Sequence, residues 1–190
     1  MPFYLVTDRL ALGEFTEDDA ELLFALDTDP DVMRMIGPFM PKNVDESRQK
    51  IRSWIDKYYS AGRGLGIWAA VEKSTGAFLG WFCLRPGSDW MFAHLSGWGP
   101  DDLEIGYRLH KAAWGKGYAT EASRAIVRKA FTELDAKRIV SSALLSNVAS
   151  WRVMEKVGMK RVRQFPLPGY DSPDVTYRLT REEWVAMESG

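Results

Sequence analysis

The chain has 190 residues, of which 46% are apolar, and its formal net charge is −1. This length suits one domain, residues 1–190, with a substantial core. The near-neutral charge argues against broad electrostatic binding of nucleic acid, and no apolar run is long enough to cross a bilayer. Met1 to Phe15 mixes acids and bases, unlike a signal peptide. A single cysteine, Cys83, excludes an intramolecular disulfide. We therefore expect a cytoplasmic protein without membrane or nucleic-acid partners.

The first half of the chain predicts a strand, helices and a β-hairpin. Tyr4 to Phe15 is predicted as one strand, and Thr16 caps the helix that follows it. Leu22, Leu23 and Leu26 give this helix its apolar stripe. The other predicted elements, in order, are a helical turn over Val32 to Met35 ended by Gly37-Pro38, a helix over Val44 to Ala61, and strands over Ile67 to Glu72 and Phe78 to Leu84 joined by a turn at residues 73–76.

The second half alternates strands with helices. A polar and aromatic loop, Pro86 to Asp102, precedes a strand from Leu103 to His110, and a helix follows from Tyr118 to Leu134. The remaining elements are a strand over Arg138 to Leu144, a helix over Val148 to Val157, strands over Met159 to Phe165 and Val175 to Thr180, and a last helix with a capping box at Thr180 to Glu183. This order predicts an α/β (α+β) fold with a mixed, mainly antiparallel sheet and one crossover helix.

A glycine-containing turn, Trp114-Gly115-Lys116-Gly117-Tyr118-Ala119, joins the Leu103 strand to the following helix. Such a turn presents free backbone N–H groups at the positive end of a helix dipole, where an anion is favoured. Gly115 and Gly117 permit close approach of a pyrophosphate, and Lys116 adds a positive charge. A Walker loop needs Ser or Thr where Gly117 stands, and a dinucleotide fingerprint needs glycine where Thr120 stands. The turn is either another kind of phosphate loop or a plain turn before a helix.

Further segments carry a family resemblance. The turn matches a Gln/Arg-x-x-Gly-x-Gly/Ala loop at Gly117 and Ala119, with Trp114 in the Gln/Arg place. The other segments are Asn147-Val148-Ala149-Ser150 followed by Glu155-Lys156-Val157-Gly158-Met159, Tyr177 to Trp184, and Thr7 to Leu12. Together they resemble the GNAT superfamily of N-acetyltransferases, particularly its Rim-type branch of ribosomal-protein N-terminal acetyltransferases, where tryptophan is common at the first loop position. The resemblance implies a GNAT-like sheet splayed between the strands at 103–110 and 138–144.

The resemblance also implies that acetyl-coenzyme A (acetyl-CoA) is the cosubstrate. The loop would hold its pyrophosphate, and backbone N–H groups of Tyr107 to Leu109 would bind the pantetheine arm and polarise the thioester carbonyl. Asn147 would cap its helix and contact the coenzyme. The predicted cofactor-binding residues are Tyr107, Arg108, Leu109, Trp114, Gly115, Lys116, Gly117, Tyr118, Ala119, Thr120 and Asn147. The two histidines, His94 and His110, are too isolated to predict a metal site.

Two residues are candidates for catalysis by the same resemblance. Glu104 lies on the strand before the loop and would accept the amine's proton, directly or through water. The alternatives are a solvent-facing glutamate or one that only orients the substrate. Many family members place a proton-donating tyrosine where Met154 stands, and a thioether cannot donate a proton. Ser150, one turn earlier, is the nearest substitute, unless it only packs at the helix start. A coenzyme A thiol can also leave as a thiolate without an acid.

The acceptor is less constrained by the sequence. It is expected to be a primary amine, on a protein N-terminus or on a small molecule. Trp90, Phe92 and Trp98 in the aromatic loop would line its pocket, form a homodimer contact or cover the core. Asp101 and Asp102 would attract a cationic amine or be plain loop acids. The alternative function is a non-catalytic acyl-CoA-binding or regulatory module on the same fold.

Overall fold

The computed structural model describes residues 3–37 and 40–189, which contain eight strands and seven α-helices. The strands are β1 Leu5–Val6, β2 Leu10–Glu14, β3 Gly66–Glu72, β4 Phe78–Pro86, β5 Leu103–Leu109, β6 Arg138–Leu144, β7 Lys160–Phe165 and β8 Asp174–Thr180. The helices are α1 Ala20–Thr28, α2 Pro30–Met33, α3 Val44–Trp54, α4 Ala93–Ser96, α5 Tyr118–Thr132, α6 Val148–Lys156 and α7 Arg181–Glu188. None of these described helices is long and apolar enough to span a membrane.

The N-terminal segment is a hairpin, so the prediction of one strand from Tyr4 to Phe15 is wrong. The Thr7 N–H donates to the Leu10 carbonyl at 2.9 Å, and the Thr7 hydroxyl accepts from the Leu10 N–H at 3.0 Å. The chain therefore reverses at residues 8 and 9, and β1 pairs antiparallel with β2. No glycine or proline marks this reversal, because the Thr7 side chain closes the turn instead.

The predicted N-terminal helices are present with altered details. Leu23 and Leu26 of α1 are fully buried as predicted, but Leu22 is 43% exposed and does not belong to the apolar stripe. The inner face of α1 instead carries the buried acid Asp27. The helix predicted from Val44 to Ala61 is α3, continued by a π-helical turn at Ile55–Tyr59. Of the predicted Gly37-Pro38 helix end, Pro38 lies outside the described residues.

Contacts divide the chain into two compact units, and the single-domain expectation stays a prediction. The first unit is Met1–Cys83 with Tyr107–Ala122. Its strands follow the order β1-β2-β3-β4-β5, and β2 pairs antiparallel with β3. Its core is a cluster of buried side chains from β3, β4, α1, α3, the π-helical turn and the residue after β2. They are Phe15, Ala20, Leu23, Ile51, Trp54, Tyr58, Ile67 and Cys83.

The second unit is Leu84–Gly106 with Ser123–Gly190. Here the strand order is β5-β6-β8-β7, with β5 parallel to β6 and the other pairs antiparallel. The described β5–β6 ladder ends at Glu104 and Val140. Beyond it, a side-chain bond from Ser141 Oγ to the Ile105 carbonyl (2.8 Å) links the strands. The mixed, mainly antiparallel sheet predicted from the sequence is confirmed.

Candidate active site

The predicted phosphate loop lies in the first unit, between β5 and α5. Gly115 and Gly117 have φ values of 72° and 85°, a region that costs a residue with a Cβ about 1–2 kcal/mol. Among the described residues, no atom lies within 4 Å of a Cβ built at Gly115. Conformation, and not crowding, therefore calls for glycine there. The Glu121 N–H donates to the Gly117 carbonyl at 3.0 Å. The N–H groups ahead of that bond have no acceptor within the helix, and its dipole favours an anion beside them.

Two side chains fasten the loop. Trp114 Nε1 donates to the Leu109 carbonyl at 2.8 Å, which ties the loop to the end of β5. Arg9 Nη1 donates to the Lys116 carbonyl at 2.9 Å, and its guanidinium lies 4.5 Å from the centre of the Tyr118 ring. The sequence reasoning gave Arg9 no role, although it lies in the Thr7 to Leu12 segment that carried part of the resemblance. Arg9 places a second positive charge beside that of Lys116.

The acid in the first turn of α5 is neutralised locally. Glu121 accepts hydrogen bonds from Thr7 Oγ1 (2.6 Å), the Arg9 backbone N–H (2.9 Å) and Arg9 Nε (2.6 Å). Burial raises the pKa of Glu121, but these bonds outweigh it, so the net shift is downward and the carboxylate stays ionised. Because Arg9 matches this charge, the exposed Lys116 ammonium remains beside the helix N-terminus for an anion.

Backbone and side chain serve different purposes at Tyr107 to Leu109. The side chain of Arg108 forms an ion pair with Asp27 of α1, and Lys50 of α3 donates to the same carboxylate at 2.8 Å. This buried network holds β5 to the helices and leaves only the Arg108 backbone for a coenzyme. A Cβ at Gly80 of β4 would lie 2.1 Å from the Arg108 carbonyl oxygen. The sequence did not indicate a role for Gly80, because no local motif shows that the backbone of β5 passes so close to β4 at this residue.

Glu104 lies in the second unit and is 7% exposed, so the solvent-facing alternative is wrong. Its Oε2 accepts from Arg85 Nε at 2.6 Å. The carboxylate is therefore a fixed negative charge with a cationic partner. Its role as a proton acceptor stays a prediction.

Asn147 caps α6 as predicted. Its Oδ1 accepts from the Ser150 N–H at 3.3 Å. Met154, in the place of the family's tyrosine, is 5% exposed and packs as an apolar residue. Ser150 is half-buried one turn earlier on the same helix. The structure thus explains Met154 by packing and leaves the acid role of Ser150 a prediction.

The aromatic loop of the second unit folds onto its own core. Trp90 lies 4.9 Å from Trp98 and 5.7 Å from Phe92, measured between ring centres. It also packs edge-on against Phe165 at 6.3 Å. Among the predicted roles, the one that this packing favours is a cover over the sheet. Contact of Trp90, Phe92 and Trp98 with an acceptor stays a prediction.

Asp102 anchors that loop. It is 3% exposed, pairs with Arg138, and accepts from the Gly99 N–H at 2.7 Å. Its charge is used within the protein, so the loop-acid alternative describes it better than attraction of an amine. Asp101 is exposed.

One buried acid was missed altogether. Asp174 opens β8 and is 3% exposed, and its Oδ1 has no hydrogen-bond partner within residues 3–37 and 40–189. Burial raises the pKa of Asp174 to about 7; a hydrogen bond with Ser142 opposes the shift, and the charge of Glu104 adds to it. The strand predicted from the sequence begins one residue later, at Val175, and this prediction places Asp174 in the preceding loop.

No group of three or more metal-binding side chains occurs in the part of the chain that the structure describes. Burial lowers the pKa of His110, and His94 is exposed.

Comparisons with known proteins agree with this geometry. Residues 9–160 match a family model described as an acetyltransferase (GNAT) domain. The FsC-acetyl coenzyme A-N(2)-transacetylase of Aspergillus fumigatus is 33% identical, over 97% of this chain and 79% of the relative. A GNAT-family acetyltransferase from Bacillus anthracis has the same fold, with a TM-score of 0.75 at 23% identity over 94% of this chain and 98% of that one.

The Rim-type resemblance has a structural counterpart. A Vibrio cholerae protein proposed to be a ribosomal-protein-serine acetyltransferase superposes with a TM-score of 0.70. It is 20% identical over 92% of this chain and 95% of that one, which shows a common fold. With the family model and the Aspergillus relative, these findings establish that the chain belongs to the GNAT family and is an acetyl-CoA-dependent N-acetyltransferase.

Proposed function

We propose that this protein transfers the acetyl group of acetyl-CoA directly to a primary amine while both molecules are bound. The observation that carries the proposal is the loop before α5, where two left-handed glycines open a helix N-terminus beside Lys116 and Arg9. A pyrophosphate there would meet backbone N–H groups, the helix dipole and the Lys116 ammonium. These features fit the diphosphate of coenzyme A.

Direct transfer is favoured over a covalent acetyl-enzyme. The only cysteine, Cys83, is 1% exposed and packs in the core of the first unit. Structural cysteines buried in this way are inert as nucleophiles. The amine itself is then the attacking group, and the protein must orient it and accept its proton.

The predicted catalytic and pantetheine-binding residues have places in this proposal. Backbone N–H groups of Tyr107 to Leu109 would hold the thioester carbonyl, and Asn147 would contact the coenzyme. Glu104, fixed by Arg85, would accept the amine's proton, directly or through water, or would only orient the amine through its charge. Ser150 would donate a proton to the departing sulfur. A cytoplasmic location and a homodimer are retained as predictions.

The acceptor is proposed to be a primary amine on a small molecule or at a protein N-terminus. The Aspergillus relative, named FsC-acetyl coenzyme A-N(2)-transacetylase, is 33% identical over 97% of this chain. The ribosomal-protein relationship rests on 20% identity, which carries the fold and not the acceptor. Acceptors of both kinds belong in the same assay.

The test has two readouts. Acetyl-CoA is expected to raise the melting temperature, whereas ATP at the same concentration is not. Thiol release from acetyl-CoA should depend on an added amine when small diamines, amino acids and short peptides are compared. Stabilisation without thiol release from any amine would support the non-catalytic acyl-CoA-binding module, and no stabilisation by any acyl-CoA would refute the loop assignment.

A further inference from the structure

Asp174 lies on the same sheet face of the second unit as Glu104. The register pairs on this face are Glu104 with Val140, Val140 with Arg178, Ser142 with Thr176, and Leu144 with Asp174. Side chains two residues apart along a strand point to one face, and directly paired residues share it. Two carboxyl groups and a serine hydroxyl therefore project from one surface of the sheet.

The carboxyl of Asp174 is incompletely satisfied. Its Oδ1 is buried, and no donor reaches it from any described residue. An acceptor in this position has lost water without gaining a hydrogen bond. An ammonium or amine N–H would supply the missing donor. Glu104 differs, because Arg85 already donates to it.

A groove is lined by residues that neighbour Asp174 in sequence and in the sheet, although Asp174 itself is not part of the lining. Its volume is about 320 Å³, and its lining is mostly apolar, with Phe165, Leu167 and Tyr170 among its walls and Asp171 as its acid. Phe165 is the register partner of Asp174 on β7. The negative charge of Asp174 also contributes, after burial, to raising the pKa of Tyr170. The groove therefore runs beside Asp174, and it suits an amine on an apolar body.

We propose that Asp174 accepts the proton of the acceptor's ammonium group, with Glu104 acting on it through its charge; this rests on the proposed function. The ammonium gives one proton to the Asp174 carboxylate and regains its lone pair. The nitrogen then bonds to the thioester carbon, whose carbonyl becomes an oxyanion. The C–S bond breaks as the carbonyl re-forms, Ser150 gives its hydroxyl proton to the departing sulfur and takes the second nitrogen proton in its place, and Asp174 releases its proton to water.

The surroundings suit a base that works near neutral pH. The raised pKa of Asp174, about 7, comes first from burial and matches what general-base catalysis requires. Ionisable side chains occur on every element packed around this face. They are Arg85 on β4, His94 on α4, Glu104 on β5, Arg138 on β6 with its partner Asp102, Lys160 and Arg163 on β7, Arg178 on β8, and Tyr170 and Asp171 in the segment before β8. Among these charges, the one that acts on the Asp174 pKa is that of Glu104, which raises it.

The test is the pH profile of kcat/KM with saturating acetyl-CoA and an amine that stays cationic throughout. The wild type is expected to lose activity below about pH 7. Asp174→Asn should remove this acidic limb and lower kcat/KM by on the order of 10²- to 10⁴-fold, while keeping the thermal shift with acetyl-CoA. Glu104→Gln should move the limb to lower pH and Ser142→Ala to higher pH, because their contributions to the Asp174 pKa have opposite signs. The matched control Asp171→Asn changes an exposed acid of the same groove and should leave the limb in place.

The outcomes are separable. An active wild type whose rate and limb survive Asp174→Asn overturns the role of Asp174 and leaves the proposed function standing. A wild type that binds acetyl-CoA but acetylates no amine overturns both. If Asp174→Asn fails to fold, the pH profiles of Glu104→Gln and Ser142→Ala decide the question. An acidic limb of kcat/KM that neither variant moves refutes the proposal. A limb that moves to lower pH in Glu104→Gln and to higher pH in Ser142→Ala supports it.

Discussion

Replacing Asp174 by asparagine should stabilise the protein at neutral and alkaline pH. The folded state raises the pKa of this carboxyl from 3.8 to about 7. Between these values the unfolded chain has released the proton while the folded chain keeps it. Wild-type stability therefore falls as pH rises through this window, and the loss is complete above the folded pKa. Asparagine has no such titration, so the variant avoids the loss.

The size of the effect follows from the shift. One pKa unit corresponds to about 1.4 kcal/mol. From pH 5 to pH 8, the stability of Asp174→Asn relative to the wild type should thus grow by about 3 kcal/mol. For a chain of this length, 1 kcal/mol moves the melting temperature by about 2–4 °C, so the relative shift between the two pH values is about 8 °C.

Thermal unfolding of both proteins, followed by tryptophan fluorescence at pH 5 and pH 8, measures this difference. Asp171→Asn controls for the substitution itself, because Asp171 is exposed and should give the same difference from wild type at both pH values. A melting-temperature difference for Asp174→Asn that does not change with pH would refute the reasoning. So would a variant that loses stability relative to the wild type as pH rises.

Three further predictions concern coenzyme binding and transfer. Gly115→Ala should weaken acetyl-CoA binding at least tenfold. The control Gly76→Ala, at nearly the same φ and with equally open space, should lower the free energy of unfolding by about 1–2 kcal/mol and leave acetyl-CoA binding unchanged. Equal acetyl-CoA binding in both variants would contradict the loop assignment. Arg9→Gln should reduce the thermal shift with acetyl-CoA, because the loop loses its tie to the Lys116 carbonyl. Arg52→Gln, which breaks a surface ion pair of the same unit, should not. Ser150→Ala should lower kcat and leave KM for acetyl-CoA nearly unchanged, and an unaltered kcat would exclude Ser150 as the acid.

The sequence predicted the elements that local patterns specify. The helix after the glycine loop, the hairpin turn at residues 73–76 and the capping box at Thr180 all occur where expected. The N-terminal hairpin was missed, because its turn is closed by the hydroxyl of Thr7 and not by a turn residue such as glycine. Leu22 was misassigned because its spacing fits the same apolar stripe as Leu23 and Leu26, and only the packing of α1 in the fold leaves it 43% exposed.

The site was predictable only as far as it is continuous in sequence. The loop from Trp114 to Ala119 and the Asn147 cap are local motifs, so their spacing revealed them. The partners of Arg9 lie more than a hundred residues away, and only folding brings them to it. The sequence did not indicate that Asp174 is buried near Glu104, because both its burial at a strand end and its proximity to Glu104 arise from strand register.

The most direct test of the central claim is mass spectrometry after incubation with acetyl-CoA carrying a labelled acetyl group and an amine that promotes thiol release. The account predicts one labelled acetyl group on the amine nitrogen, formed together with free coenzyme A, and no label on the protein. Label retained on the protein would contradict direct transfer, and thiol release without an acetylated amine would contradict N-acetyl transfer itself.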